Sequence, residues 1–135
     1  MPEALRNQVE SILASWLREQ QFRFDEAIEL DHGNWSAVIY ASPDCKLYVY
    51  RSARDGEANC LLGLPAANNN RQTVGEWFFL YSLTSEQQSP SIEELLARVP
   101  ETPQTTEQQL VAIAEFLRTR FKELLRELGR RTGAA

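Results

Sequence analysis

The sequence has few of the residues from which most catalytic and metal sites are built. It contains one histidine, His32, and two cysteines, Cys45 and Cys60, among 135 residues. The cysteines are not in a C-x-x-C spacing, so they do not predict a zinc site. Nucleophilic and acid–base catalysis need several reactive groups that converge on one pocket. We therefore predict no catalytic residue, no metal and no enzyme activity.

The two cysteines are either reduced thiols or partners in one disulfide. Reduced thiols are the simplest interpretation for a protein of the cytosol. A Cys45–Cys60 bridge stays open at this stage, because a disulfide requires that neighbouring strands place the two residues opposite each other.

Glycine-rich phosphate loops and long apolar runs are also missing. Gly56, Gly63 and Gly75 follow neither G-x-G-x-x-G nor G-x-x-x-x-G-K order, so no nucleotide cofactor is expected. No apolar run approaches the ~20 residues that a membrane span requires, and the first residues lack the basic and apolar segments of a signal peptide. These absences predict a cytoplasmic protein without a cofactor and without a membrane partner.

Charge is unevenly distributed along the chain, whose net charge is −5. Residues 1–107 carry 8 basic and 16 acidic side chains, whereas residues 108–135 carry 6 basic and 3 acidic ones. An acidic body repels phosphate backbones, so we expect no nucleic-acid partner. The length and the 43% hydrophobic content are typical of one globular domain. We predict a domain over residues 1–129 and a frayed tail over 130–135.

The spacing of apolar residues predicts a helix followed by a sheet. Apolar side chains recur at helical spacing from Leu5 to Leu17, and from Phe22 the spacing changes to two, as in half-buried strands. Short turns link the following segments, which predicts an antiparallel meander with four to five strands. The predicted strands cover residues 22–30, 35–41, 45–50, 58–64 and 74–83, the last being the most hydrophobic and central. Residues 66–72 are predicted to form an exposed, mobile loop.

Two helices are predicted after the sheet. A serine followed by glutamate three residues later starts a short helix over 89–99. Thr105 or Thr106 caps a long last helix, which Gly129 ends. Its apolar stripe packs on the sheet or, as the alternative, forms a dimeric coiled coil. The prediction is an α+β fold whose helices cover one sheet face and leave the other exposed. The last helix has its apolar positions at Leu110, Ala114, Leu117, Phe121, Leu124 and Leu128.

Aromatic residues in the predicted strands are the richest indication of function. One interpretation is an ordinary sheet that buries them. The other is an exposed patch of Tyr40, Tyr48, Tyr50 and either Trp77 or Phe78, because tyrosine and tryptophan are favoured as interface anchors.

Carboxylates form the second candidate surface. Asp25, Glu29 and Asp31 fall on one strand face if the period of two is unbroken, and Asp55 and Glu57 lie near later turns. A solvated charged face is one interpretation; the other is a surface that attracts a basic protein partner. The predicted partner-binding residues are Asp25, Glu29, Asp31, Tyr40, Tyr48, Tyr50, Asp55, Glu57 and Trp77.

The segment from Trp35 to Ala41, which runs into Leu47–Tyr50, resembles two groups of small bacterial proteins. One is the type III secretion chaperone-like group, including the YbjN-like proteins, and the other is the immunity proteins that neutralise polymorphic toxins. The second resemblance implies a non-enzymatic inhibitor that binds a toxin domain. The first implies a dimeric chaperone, hence a possible homodimer, that holds an effector segment along its sheet.

Overall fold

The structure, a computed structural model, describes residues 2–53, 56–69, 77–80, 83 and 105–132, apart from the side chains of Pro2 and Asp31. Helix α1 covers Pro2–Glu19 and helix α2 covers Thr106–Thr132. Between them lie β1 (Arg23–Leu30), a 3₁₀ turn (Asp31–Gly33), β2 (Trp35–Ala41), β3 (Lys46–Ser52), β4 (Glu57–Gly63) and β5 (Trp77–Phe79). The α+β arrangement predicted from the sequence is confirmed. The predicted helix over 89–99 lies outside the described residues.

The five strands form one antiparallel sheet in the order β1-β2-β3-β4-β5. The meander is confirmed, but the prediction that residues 74–83 form the central strand is wrong. Among the described strands, β5 has three residues and pairs only with β4, and β3 is the middle strand; Leu80 and Leu83 are helical. Hydrophobicity misled the prediction because burial of Trp77 comes from side-chain packing on one face rather than from a central position in the sheet.

Both helices pack on one face of the sheet. Their apolar stripes enclose a core with the β2, β3 and β4 side chains of that face, including Val38, Leu47 and Leu62, all of which are fully buried. Trp16 of α1 contacts Phe121 of α2 edge to face, with 4.9 Å between ring centroids. The six apolar positions predicted for the last helix are all buried here, which confirms the interpretation that this stripe packs on the sheet.

The opposite sheet face is buried as well, which corrects the expectation of an exposed face. Its centre is a cluster of Ile28, Ala37, Ile39, Tyr48, Tyr50, Leu61, Ala67 and Trp77. Ala67 is only 5% exposed, and the main-chain oxygen of Asn68 accepts a hydrogen bond from Trp77 Nε1 at 3.0 Å. The prediction that this segment is an exposed loop is therefore wrong for residue 67; residues 70–72 lie outside the described residues.

A β-bulge interrupts β1. Phe24 is paired with Tyr40 and Glu26 with Ile39, so Asp25 is an extra residue between them. The following turn holds His32 at φ 53° and Gly33 at φ 88°. The φ of Gly33 lies in a region that residues with a side chain rarely adopt, so this turn favours glycine for its conformation.

Helix α2 begins at the cap predicted for Thr105 and ends later than predicted. Thr105 Oγ1 accepts a hydrogen bond from Gln108 N at 3.1 Å, and Gln108 Oε1 accepts one from Thr105 N at 2.9 Å, which is a capping box. The helix continues through Gly129 to Thr132, so the predicted end at Gly129 is wrong. Glu127 accepts hydrogen bonds from Arg130 and Arg131, and these bonds hold the last turn that the sequence predicted to fray.

Within the described residues, neither helix combines the length and the apolar content needed to cross a membrane.

Candidate protein-binding edge

Hydrogen-bond alternation determines which residues of β2 face β1. At the two ends of the β2–β3 ladder, Ser42 N donates to Cys45 O at 2.9 Å and Ala53 N donates to Asn34 O at 2.7 Å. Every second residue of an antiparallel strand directs its backbone groups to the same neighbour. The even-numbered residues of β2 therefore bond to β3, and the odd-numbered ones bond to β1.

The same alternation leaves backbone groups of β1 open. The odd-numbered residues of β2 are paired with Glu26, Ile28 and Leu30, so the intervening Ala27 and Glu29 direct their N–H and C=O groups away from β2. β1 is the first strand of the sheet, and no hydrogen bond from the described part of the chain reaches these groups. An open strand edge is a template on which another chain can add a strand.

The side chains of β1 are accessible along most of its length. Six of its eight residues are exposed, and Phe24 and Leu30 are 38% and 55% exposed despite their size. Phe24 is paired with Tyr40 on the helix-covered face, whereas Leu30 is paired with Trp35 on the opposite face. An added strand would therefore find apolar contacts on both faces of the sheet.

An open groove of about 750 Å³ lies at the start of β1, between the C-terminal end of α1 and the β2–β3 turn at Ser42 and Pro43. Arg18 of α1, Phe22, Arg23, Phe24 and Asp25 contribute to its walls. Arg18 and Arg23 are exposed, and neither forms an ion pair with a carboxylate of the described residues. The groove therefore offers two guanidinium groups without a described carboxylate partner, next to an exposed aromatic ring.

A smaller cavity of about 250 Å³ continues this groove along α1 and is built around Arg6, Glu10 and Tyr40. Arg6 Nε lies 2.5 Å from Glu10 Oε2, and Tyr40 donates its hydroxyl to the same oxygen at 3.0 Å. The Arg6 guanidinium also stacks 3.7 Å from the centre of the Phe24 ring, a cation–π contact. These contacts hold Phe24 against α1 and so position the first half of β1.

Electrostatics in this network follow from its hydrogen bonds. The bond from Arg6 lowers the pKa of Glu10, and the bond from Tyr40 lowers it further. Burial raises the pKa of Tyr40, and the neighbouring Glu10 carboxylate adds to the effect. At neutral pH the arrangement is therefore a phenol and a guanidinium that share one carboxylate. Unlike Arg18 and Arg23, Arg6 is already paired.

A second polar network anchors the segment after β4 to the sheet. Lys46 Nζ donates to Ala67 O at 3.0 Å and to Asn69 Oδ1 at 2.9 Å. Asn69 Nδ2 in turn donates to Asp25 Oδ2 at 2.6 Å and to Glu26 Oε1 at 3.0 Å. Asp25 thereby lies near Lys46 and Glu26 is bonded to Asn69, so both carboxylates contribute less negative charge to the strand edge than the sequence predicts.

The predicted aromatic patch is not present. Tyr40 packs on the helix-covered side, whereas Tyr48, Tyr50 and Trp77 belong to the opposite face. Tyr40, Tyr48 and Tyr50 are each 3% exposed and Trp77 is 6% exposed. Trp35 stacks on Tyr50 with 4.2 Å between centroids, and Tyr48 contacts Trp77 at 5.4 Å. These four side chains are packed against neighbouring rings, so they are core residues rather than interface anchors.

The predicted acidic face is divided by the bulge. Asp25 is the extra residue and turns to Lys46 and Asn69, whereas Glu29 is paired with Ser36 near the other end of β1. Asp31 lies beyond the strand in the 3₁₀ turn, and its side chain is outside the description. The prediction of one shared face is therefore wrong, because an inserted residue reverses the alternation.

The sheet register nevertheless gathers acidic positions at one end. Leu30, Trp35, Ser52 and Glu57 follow one another across neighbouring strands, so Glu29 and Glu57 lie at the same end of the sheet. Both side chains are exposed. Asp55 lies outside the described residues. The β1 edge thus has an acidic end at Glu29 and a basic groove at Arg18 and Arg23.

The residues considered for chemistry are dispersed. His32 is exposed in the turn after β1, and Cys45 and Cys60 are free, buried thiols. Burial raises the pKa of Cys45 to about 12 and that of Cys60 well above its ordinary value. No group of three or more His, Cys, Asp or Glu side chains with metal-binding geometry occurs among the described residues.

The open edge and its groove are features that the sequence analysis missed. Alternation placed Phe22 and Phe24 together, but it does not show which strand ends the sheet or that Arg18 and Arg23 share a groove with them. The signal available in the sequence was the position of Arg18 and Arg23 close to the aromatic pair Phe22 and Phe24. Comparison of the chain with protein-family models, with curated proteins and with solved structures finds no match.

Proposed function

We propose that this chain is a non-enzymatic protein-binding module that binds its partner along the β1 edge. The observation that supports the proposal is that the backbone N–H and C=O groups of Ala27 and Glu29 point away from β2 and are open. Both residues belong to a strand with six exposed residues. Natural proteins protect strand edges with bulges and charged side chains; β1 has a bulge at Asp25, but beyond it the pairing from Glu26 to Leu30 is regular and the outward backbone groups of Ala27 and Glu29 are open. An edge flanked by exposed Phe24 and Leu30 combines main-chain pairing with apolar contact, which are the two components of recognition by strand addition.

The partner class that we propose is a toxin domain, which an immunity-type protein would bind and neutralise. The exposed carboxylates Glu29 and Glu57 at one end of the sheet and the net charge of −5 would attract a basic partner and speed its association. The alternative, a dimeric secretion chaperone that uses a hydrophobic sheet face, has less support because Tyr48, Tyr50 and Trp77 of that face are buried.

A pair of variants at Ala27 tests the edge. Ala27→Pro removes an outward N–H while it leaves the ladder to β2 intact, a position at which an edge strand tolerates proline. Ala27→Val keeps the N–H and is the matched control. We expect wild type and Ala27→Val to recover the same stoichiometric protein from a lysate of the source organism, and Ala27→Pro to lose it although it remains folded by circular dichroism. Equal recovery by all three forms would contradict the proposal.

The recovered protein then tests the toxin class. Expressed alone in a bacterial host, it is expected to stop growth, and co-expression of this chain is expected to restore growth. If the partner is harmless when expressed alone, the proposed binding edge is still supported, but the proposed immunity function is contradicted. Charge reversal of Glu29 and Glu57 together is expected to slow association at low salt with little effect at high salt.

A further inference from the structure

The two ends of the β1 edge differ in charge. At the groove end, Arg18 and Arg23 have no carboxylate partner among the described residues, while Arg6 is paired with Glu10. Asp25, a carboxylate in the groove wall, bonds to Asn69 and lies 3.8 Å from Lys46 Nζ. Among the described residues, the two arginines are therefore the unpaired cations of this end, and Glu29 is an exposed carboxylate at the other end.

This charge pattern argues against a second copy of the chain as the occupant. Because the open ladder positions are Ala27 and Glu29, an antiparallel pair of β1 strands would be centred on Ala27 and would place Asp25 of each copy opposite Glu29 of the other. Like charges across a strand pair are destabilising. A partner strand that carries a negative charge near the arginines fits the edge better.

We propose that the groove end of β1 recognises a carboxylate in an extended segment of the partner, an inference that rests on the proposed strand addition. The segment pairs with the backbone groups of Ala27 and Glu29 and places an apolar side chain on Phe24. An aspartate or glutamate of the segment then reaches the guanidinium groups of Arg18 and Arg23. Guanidinium groups bind carboxylates through paired, charge-assisted hydrogen bonds.

The distance between the charges at the two ends of β1 predicts a second feature of the partner segment. Arg23 and Glu29 are six residues apart, but the bulge contributes one of them, so their partners Ala41 and Ser36 are five residues apart on β2, which corresponds to roughly 17 Å of strand. A complementary segment carries its acidic residue at one end and a lysine or arginine about five positions away, at the end that meets Glu29. The partner segment is therefore an extended, bipolar peptide with apolar residues between its charges.

Selection from a random decapeptide phage library on the folded, full-length chain tests the inference. Wild type is expected to enrich peptides with an aspartate or glutamate, apolar residues and a cation in this order or its reverse. The strongest peptide, made synthetically, is expected to bind at least about tenfold more weakly to an Arg18→Glu/Arg23→Glu variant. Lys122→Glu/Arg126→Glu makes the same change in net charge at two exposed positions of α2 and is expected to bind like wild type.

A charge-exchanged peptide distinguishes direct contact from a structural effect. Replacing its acidic residue with lysine is expected to abolish binding to wild type and to restore binding to Arg18→Glu/Arg23→Glu. Selected peptides without acidic residues, or no selection at all, would overturn the carboxylate inference. If such peptides still lost binding to Ala27→Pro, strand addition would stand; binding that survives in Ala27→Pro would overturn strand addition as well.

Discussion

Tyr40 shows how one hydroxyl joins two layers of the molecule. It is 3% exposed and donates to Glu10 of α1 at 3.0 Å, while its ring contacts Phe24 of β1. Tyr40→Phe keeps the ring and removes the bond, so we expect the free energy of unfolding to fall by about 1 kcal/mol. Urea unfolding measures the change. In a Glu10→Gln background the same substitution is expected to cost less, and an equal cost in both backgrounds would show that the hydroxyl acts independently of the carboxylate.

Glu10 makes stability depend on pH in a defined direction. Its pKa in the folded protein lies below the ordinary value of 4.5 because Arg6 and Tyr40 bond to the charged form. Its contribution is therefore complete above pH 4.5 and is lost as the pH falls through the folded-state pKa. We expect the difference in unfolding free energy between wild type and Glu10→Gln to shrink below about pH 4.5. A constant difference down to about pH 3 would contradict this network.

The N-terminus of α2 allows a test at the scale of an element. Thr105 exchanges two hydrogen bonds with Gln108, whereas Thr106 is the first helical residue. We expect Thr105→Ala to lower the free energy of unfolding by about 1 kcal/mol, and the neighbouring Thr106→Ala to have a clearly smaller effect. Thermal and urea unfolding of both variants decide between the two caps that the sequence left open, and the reverse order of effects would contradict the assignment.

Elements with strong local patterns were predictable, and elements set by distant contacts were not. The bounds of β2 follow from alternation between two turn signals, and the stripe of α2 follows from its apolar spacing. Nothing in the local sequence distinguishes the bulge at Asp25 from a regular strand with a side-chain period of two. The prediction of one shared acidic face was therefore incorrect. Likewise, Gly129 is a good helix end by its own preference, but bonds of Arg130 and Arg131 to Glu127 continue the helix past it.

At the scale of the whole molecule, the sequence did not reveal that both sheet faces are buried. Strand alternation places Tyr48 and Tyr50 on one side of β3 and Leu47 and Val49 on the other, as the two core clusters have them. Their burial depends on what packs over that side, such as Ala67, whose position is fixed by a bond to Lys46 across 21 residues of chain. The aromatic side chains that were predicted to form a binding surface are therefore part of the core. The open edge of β1, defined only by the order of strands, replaced it as the candidate site.

The reactivity of the two cysteine thiols can be used to follow unfolding of the whole molecule. Cys60 is paired with Val49, and Cys45 precedes Val49 by four residues, or roughly 13 Å of strand, which is too far for a disulfide without rearrangement. Both side chains are fully buried, and burial raises the pKa of both thiols. A buried protonated thiol is a poor nucleophile. We therefore expect neither to react with Ellman's reagent while the chain is folded.

Labelling in increasing urea tests this expectation, with Cys45→Ala and Cys60→Ala to follow each thiol separately. Since both side chains belong to the helix-covered core, the two labelling rates are expected to rise with the same denaturant dependence as global unfolding. Rapid labelling of Cys45 alone would show that the β2–β3 turn opens independently. Rapid labelling of Cys60 would mean that α2, which contacts β4, separates from the sheet while the rest stays folded. Equal, slow labelling would establish that both helices and the sheet unfold as one cooperative unit, with the β1 edge as part of it.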